Sequence, residues 1–178
     1  MVTEGGVFMR NIVVVGFMGT GKSAVGKLLA DKLNREFLEI DDIIEKKEGI
    51  SIKEIFEKKG EPYFRSLEKE AVKEASQRKG IVISAGGGAI IDEENFKNLK
   101  KNSIIVCLEA SPDVILKRTK GNTCRPLLNV PDPKKKIEEL LQKRAPYYKK
   151  ADLSINTDTL TIEEVVEKIS HLYSKSPY

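Results

Sequence analysis

Short apolar runs and amphipathic stretches alternate along this chain from end to end. Ile12-Val13-Val14-Val15 is an unbroken apolar run of the kind that forms a strand buried on both faces, and in Ala24-Val25-Gly26-Lys27-Leu28-Leu29-Ala30 the apolar residues recur at helical spacing. Phe37-Leu38-Glu39-Ile40 predicts a short second strand. Asp42-Ile43-Ile44-Glu45 reads as an N-cap with its reciprocal Glu, opening a helix that stops at Gly49, and Ser51-Ile52-Lys53-Glu54 repeats the pattern for a helix that stops at Gly60. Phe64 to Arg78 predicts another helix, and Ile81-Val82-Ile83-Ser84 a buried strand running into Ala85-Gly86-Gly87-Gly88. Beyond it, Asp92 to Lys100 is helical in pattern and Ser103 to Leu108 strand-like. Ser111-Pro112 supplies an N-cap and a proline at the first helical position. A loop punctuated by glycine, asparagine and proline, Lys120 to Asp132, precedes a helix over Pro133 to Lys149, a last strand at Leu153-Ser154-Ile155 and a final helix capped by Thr161-Ile162-Glu163-Glu164. Five strands interspersed among roughly eight helices predict an α/β domain with a parallel sheet.

With 178 residues the chain is long enough for one domain with a substantial core. A net charge of +4 is compatible with small anionic substrates and too weak to argue for nucleic acid. Lysines interleaved with glutamates, as in Glu45-Lys46-Lys47-Glu48, describe solvated helix faces. The two cysteines, Cys107 and Cys124, lack metal-ligand spacing and read as reduced thiols, which fits a cytoplasmic protein. No apolar stretch reaches the ~20 residues of a membrane span. Residues 1–9 lack the features of a leader peptide and read as a frayed extension, with Met9 an alternative start. No long exposed apolar helix or heptad run calls for a partner, so a monomer is expected.

Chemistry concentrates at the carboxyl ends of the strands, where ligands gather in an open parallel sheet. Gly16-Phe17-Met18-Gly19-Thr20-Gly21-Lys22-Ser23 fits G-x-x-x-x-G-K-[ST] at every fixed position, between a strand and a helix. In that context the backbone N–H groups of Gly19 to Ala24 can cradle phosphates, Lys22 can reach the outer ones, and the Ser23 hydroxyl can ligate Mg²⁺. This P-loop predicts a nucleoside triphosphate as donor and leaves the acceptor open. After the second strand, Glu39 and Asp41 share a face if the chain stays extended, where they could hold Mg²⁺ through water and orient an acceptor hydroxyl; Asp42 points away as the helix cap. Gly86-Gly87-Gly88 suits either a close approach by a ligand or chain segment, or a plain flexible turn. The loop 120–132 carries Arg125 beside Pro126-Leu127-Leu128 and has the length of a lid that closes over phosphates and excludes water. His171, the single histidine, lies far from every motif and reads as structural.

Taken together these segments resemble the shikimate kinase family, from about Arg10 to Leu172. The resemblance rests on the P-loop, the carboxylate pair before Asp42, Phe64-Arg65 within Gly-Glu-Pro-Tyr-Phe-Arg, Gly86-Gly87-Gly88, Arg125-Pro126-Leu127-Leu128, and Arg144 within Lys-Arg-Ala-Pro-Tyr-Tyr. It implies a three-layer P-loop fold, a five-stranded parallel sheet flanked by helices with a mobile lid. It also implies transfer of the γ-phosphoryl of ATP to the 3-hydroxyl of shikimate, with Mg²⁺, on the route to chorismate and the aromatic amino acids. Lys22, Asp41 and Arg125 would then be catalytic. ATP would lie on Gly19, Thr20, Gly21, Lys22, Ser23, Ala24, Arg118 and Arg125, with Arg118 near the adenine. Shikimate would lie on Asp41, Arg65, Gly87 and Arg144, the two arginines presenting planar forks to its carboxylate. Ser23 would hold the metal with Glu39 as a second ligand, although the family usually has Asp-x-Asp where this chain has Glu39-x-Asp41. Asn156 to Thr159 offers no basic nucleotide contact. The competing readings are a gluconate- or nucleotide-type kinase and a non-catalytic nucleotide-binding module. A guanine-specifying Asn-Lys-x-Asp motif is absent.

Overall fold

The computed structural model describes residues 9–121 and 126–175. Five parallel strands form one sheet in the order β2-β3-β1-β4-β5: β1 (Asn11–Gly16), β2 (Phe37–Glu39), β3 (Val82–Ser84), β4 (Ser103–Glu109) and β5 (Leu153–Asn156). β1 sits in the middle, with Val14 opposite both Ser84 of β3 and Val106 of β4. Its six residues are all buried because each face of the sheet is covered by helices. Val13 and Val15 point into a core with Phe17, Ile83, Ile105 and helices from the middle of the chain. Ile12 and Val14 point into a second core with Val25 and Leu29 of α1 (Lys22–Lys32) and Val165, Val166 and Ile169 of α7 (Ile162–Lys175). The period-two side-chain alternation of one strand thus feeds two separate cores.

Seven α-helices are present among the described residues when the broken α3 is counted as one, and eight, as the punctuation suggested, when it is counted as two. The difference lies at Gly60. The helix opened by Ser51 does break there, at φ 82° and ψ 170°, but helical geometry resumes at once, with Pro62 in the first turn of the new segment, so that α3 spans Ile52–Ser76. The capping box at Ser51 and Glu54 is formed as expected, and so is the one at Thr161 and Glu164.

The expected cap at Asp42 is not formed. α2 (Ile40–Glu48) starts three residues earlier, straight from the strand, with Glu39 at the N-cap position and Asp41 and Asp42 both inside the first turn. Ile40 is fully buried, and burying it pulls the chain into the helix. Glu45, freed from the proposed reciprocal role, instead accepts a hydrogen bond from the Ile52 N–H at 2.8 Å and joins α2 to α3. The remaining helices are α4 (Glu93–Lys100), α5 (Pro112–Thr119) and α6 (Pro133–Tyr148), and the loop before α6 contains a short 3₁₀ turn at Pro126–Leu128. No helix among the described residues is long and apolar enough to cross a membrane.

Candidate active site

Gly16 ends β1 and the chain then folds back on itself. The Thr20 hydroxyl donates to the Phe17 carbonyl at 2.7 Å and the Lys22 ammonium donates to the same oxygen at 3.0 Å. Gly21, at φ 91°, stands at the N-cap of α1 with no side chain to cap it and no acidic residue in the first turn. The first N–H groups of the helix are therefore left for an anion, and the macrodipole favours one there. Arg118, at the end of α5, donates to the Thr157 carbonyl at 2.8 Å and its hydroxyl at 3.0 Å, and reaches the Gly19 carbonyl at 3.4 Å. The segment after β5 thus anchors the arginine that borders the loop.

On the other side of the loop lies a cavity of about 160 Å³ whose walls carry Lys22, Ser23, Glu39, Asp41, Arg65, Gly87 and Arg144. Residues 22 and 144 are more than a hundred positions apart, and the start of α1, the end of β2, α2, α3, the glycine turn after β3 and α6 each contribute to the gathering. Asp41 reaches the cavity from the first turn of α2, not from an extended strand end, so the shared-face argument gave the right neighbours for the wrong backbone. Its Oδ1 is buried without a partner. Burial pushes the Asp41 carboxyl above the ordinary carboxylate range, and the Lys22 ammonium draws it part of the way back. Burial likewise raises Glu39, toward which the hydroxyls of Ser23 and Ser84 turn, although Ser84 Oγ completes no hydrogen bond of standard geometry.

Arg65 projects from α3 into the same space. It pairs with Glu61 at 2.9 Å and with Glu68 at 2.8 Å. Glu68 was not singled out from the sequence, although its position three residues after Arg65 puts both on one helix face. It is 1% exposed, its other oxygen has no partner, and burial holds its carboxyl above the usual range despite Arg65. Arg144 of α6 is buried, with its guanidinium carbon 5.3 Å from the centroid of the Phe17 ring. Tyr148, one turn further on, donates its hydroxyl to the Gly87 carbonyl at 3.1 Å, and burial pushes that phenol up to about 12. Phe56 and Phe64, rings 4.9 Å apart, make an apolar wall.

The glycine triplet proves to be a close approach rather than a loose turn. A Cβ on Gly87 would stand 2.5 Å from the Gly16 carbonyl oxygen and 2.6 Å from the Tyr148 hydroxyl, with an Arg144 nitrogen at 3.2 Å. One on Gly88 would stand 2.5 Å from an Arg65 nitrogen. The missing side chains make room for the two arginines as well as for any ligand. Arg125 and Cys124 lie outside the described residues. His171 is exposed on the outer face of α7, beside β5 and away from the cavity.

A family model described as shikimate kinase matches residues 18–173. The chain belongs to the shikimate kinase family. It is 52% identical over 167 residues to the shikimate kinase of Thermodesulfovibrio yellowstonii, an alignment covering 94% of this chain and 96% of the relative. The shikimate kinase of Caldanaerobacter subterraneus subsp. tengcongensis is 49% identical, with coverage of 94% and 98%. Among solved structures, shikimate kinase from Acinetobacter baumannii in complex with shikimate superposes with a TM-score of 0.91 at 40% identity, covering 96% of each chain. A gluconokinase from Sinorhizobium meliloti, 20% identical with a TM-score of 0.59, shares the fold alone.

Proposed function

We propose that this chain transfers the γ-phosphoryl group of ATP to the 3-hydroxyl of shikimate. The observation that carries the reading is one cavity holding two arginine forks and an unpartnered buried carboxylate oxygen beside the P-loop lysine. A small ring with one carboxylate and several hydroxyls supplies what each group lacks. Arg144 and Arg65 receive the carboxylate, Arg65 while braced by Glu68. Asp41 Oδ1 accepts the hydrogen of the attacking hydroxyl and aims its oxygen at the phosphate. The transition state of phosphoryl transfer is loose, so this positioning contributes more than base strength. Lys22 leaves the Phe17 carbonyl for the phosphate oxygens and balances the charge that builds on them.

Ser23 and Glu39 offer a hydroxyl and a carboxylate turned toward each other, an all-oxygen donor set that fits Mg²⁺ when phosphate oxygens and water complete the shell. Bound there, Mg²⁺ would neutralise phosphate charge. Arg118 borders the adenine side, and Arg125 closes with the 120–132 lid. The enzyme acts as a monomer in the cytoplasm.

A coupled assay of ADP release with shikimate, gluconate and nucleoside monophosphates tests the reading. Stimulation by shikimate alone is expected, and none above the ATP-only blank would overturn it. Arg144→Ala is expected to raise the KM for shikimate far more than that for ATP.

A further inference from the structure

Beyond Arg65, Glu68 and Arg144, which form a wall common to both spaces, lies a second chamber of about 580 Å³. Asn95 of α4 lines it. That side chain is 2% exposed, yet its Oδ1 has no partner. A buried acceptor without a donor costs stability, so a group left in this state inside an open chamber points to a ligand that donates to it. Lys136, Lys143 and Arg144 form the opposite side. They fall at i, i+7 and i+8 along α6 and therefore share one helix face.

The charge balance of the chamber is positive. Its two acidic residues outside the common wall are already engaged: Glu61 by Arg65 at 2.9 Å, and Asp92 by Lys69 at 3.0 Å and by the first turn of α4. Glu68 is paired with Arg65. Lys136 and Lys143 have no ion pair among the described residues.

We propose that this chamber is a holding site for a second molecule of the hydroxylated carboxylate that the catalytic cavity phosphorylates. The carboxylate faces Lys136 and Lys143, and a ring hydroxyl donates to Asn95 Oδ1. Arg144 borders both spaces and hands the acid inward. The inference rests on the acceptor being a hydroxy acid.

Equilibrium dialysis of shikimate against the nucleotide-free chain, carried into the millimolar range, tests it. Two molecules per chain are expected for the wild type and one for Lys136→Glu/Lys143→Glu. The double variant should keep its kcat and its KM for ATP while kcat/KM for shikimate falls about fivefold at low salt, a gap that closes as salt screens the lysines. Asn95→Leu should likewise bind one molecule. Because that buried change can unfold the chain, the surface lysine variant decides independently. One molecule per chain in the wild type, or unchanged kcat/KM in the lysine variant, would overturn the holding site. So would inorganic phosphate displacing the second molecule equally well from wild type and Asn95→Leu, since Asn95 would then read no hydroxyl. Full turnover of shikimate alongside single-site binding would refute the holding site alone and leave the kinase reading standing.

Discussion

Gly87 and Gly88 are adjacent glycines, and replacing each with alanine should give opposite phenotypes. At Gly87 the added methyl meets a backbone oxygen at 2.5 Å and the Tyr148 hydroxyl at 2.6 Å, neither of which can swing aside without moving β1 or α6. Overpacking of this kind costs about 1–3 kcal/mol, and losing the Tyr148 hydrogen bond to the Gly87 carbonyl adds about 1 kcal/mol. Gly87→Ala should therefore lose about 2–4 kcal/mol, which for a domain of this size lowers Tm by about 4–16 °C. At Gly88 the methyl meets only the far end of the Arg65 side chain, and φ of −89° is open to alanine. The guanidinium can shift, so the fold is spared and the acceptor is not. Displacing one charge-assisted hydrogen bond, about 1.5–3 kcal/mol, raises the KM for shikimate about 10- to 100-fold. Circular dichroism melts and initial rates on both variants separate the two effects. A Gly87→Ala melt within 1 °C of wild type, or a Gly88→Ala chain with normal KM and a large drop in Tm, would refute the steric argument (a margin of about 1 °C being far below the shift worked above).

Lys22→Ala should lower kcat by about 10²–10³-fold with little change in Tm, because the lost contact acts on phosphate charge; near-normal turnover in the coupled assay would remove the P-loop assignment. Raised carboxyls at Asp41, Glu39 and Glu68 make the folded state hold protons more firmly than the unfolded chain. Their contribution to stability is thus present at low pH and declines as pH rises through the raised folded values. Asp41→Asn should accordingly melt higher than wild type at neutral pH, with the gap narrowing toward about pH 4, while its turnover collapses; a gap that widens on acidification would contradict the sign. Chelation by EDTA should abolish turnover and added Mg²⁺ should restore it in wild type, whereas Ser23→Ala should need a higher Mg²⁺ concentration for half-maximal rate, read from a titration at fixed ATP.

The donor side of the site was legible because its chemistry is local: eight consecutive residues and their flanking strand and helix define the phosphate cradle. On the acceptor side Asp41 was legible from its place after the second strand, but the two arginines only through resemblance, since Arg65 and Arg144 look like surface residues until the fold buries one and braces the other. Three things escaped for physical reasons. The start of α2 was set by the burial of Ile40, a tertiary demand that outweighed the cap pattern at Asp42. The break at Gly60 was legible, but the return to helix directly after it, ahead of Phe64, was not. Tyr148 meets Gly87 across 61 positions of sequence, and the burial that sets Glu68 apart from other i,i+3 partners comes only with folding. The glycine triplet, evenly balanced between two readings, was decided by side chains from α3 and α6.

β1 sends alternate side chains into two cores, and only one of them adjoins the acceptor cavity. The core beneath α1 and α7, tied at its surface by Lys32 and Glu167, touches neither Arg65 nor Arg144. Adaptation to heat or cold can therefore be written on that face by exchanging Val25, Leu29, Val165 and their neighbours, while the choice of acceptor is inherited unchanged on the other. A lineage changing climate and a lineage changing substrate would leave their marks on opposite sides of the same sheet.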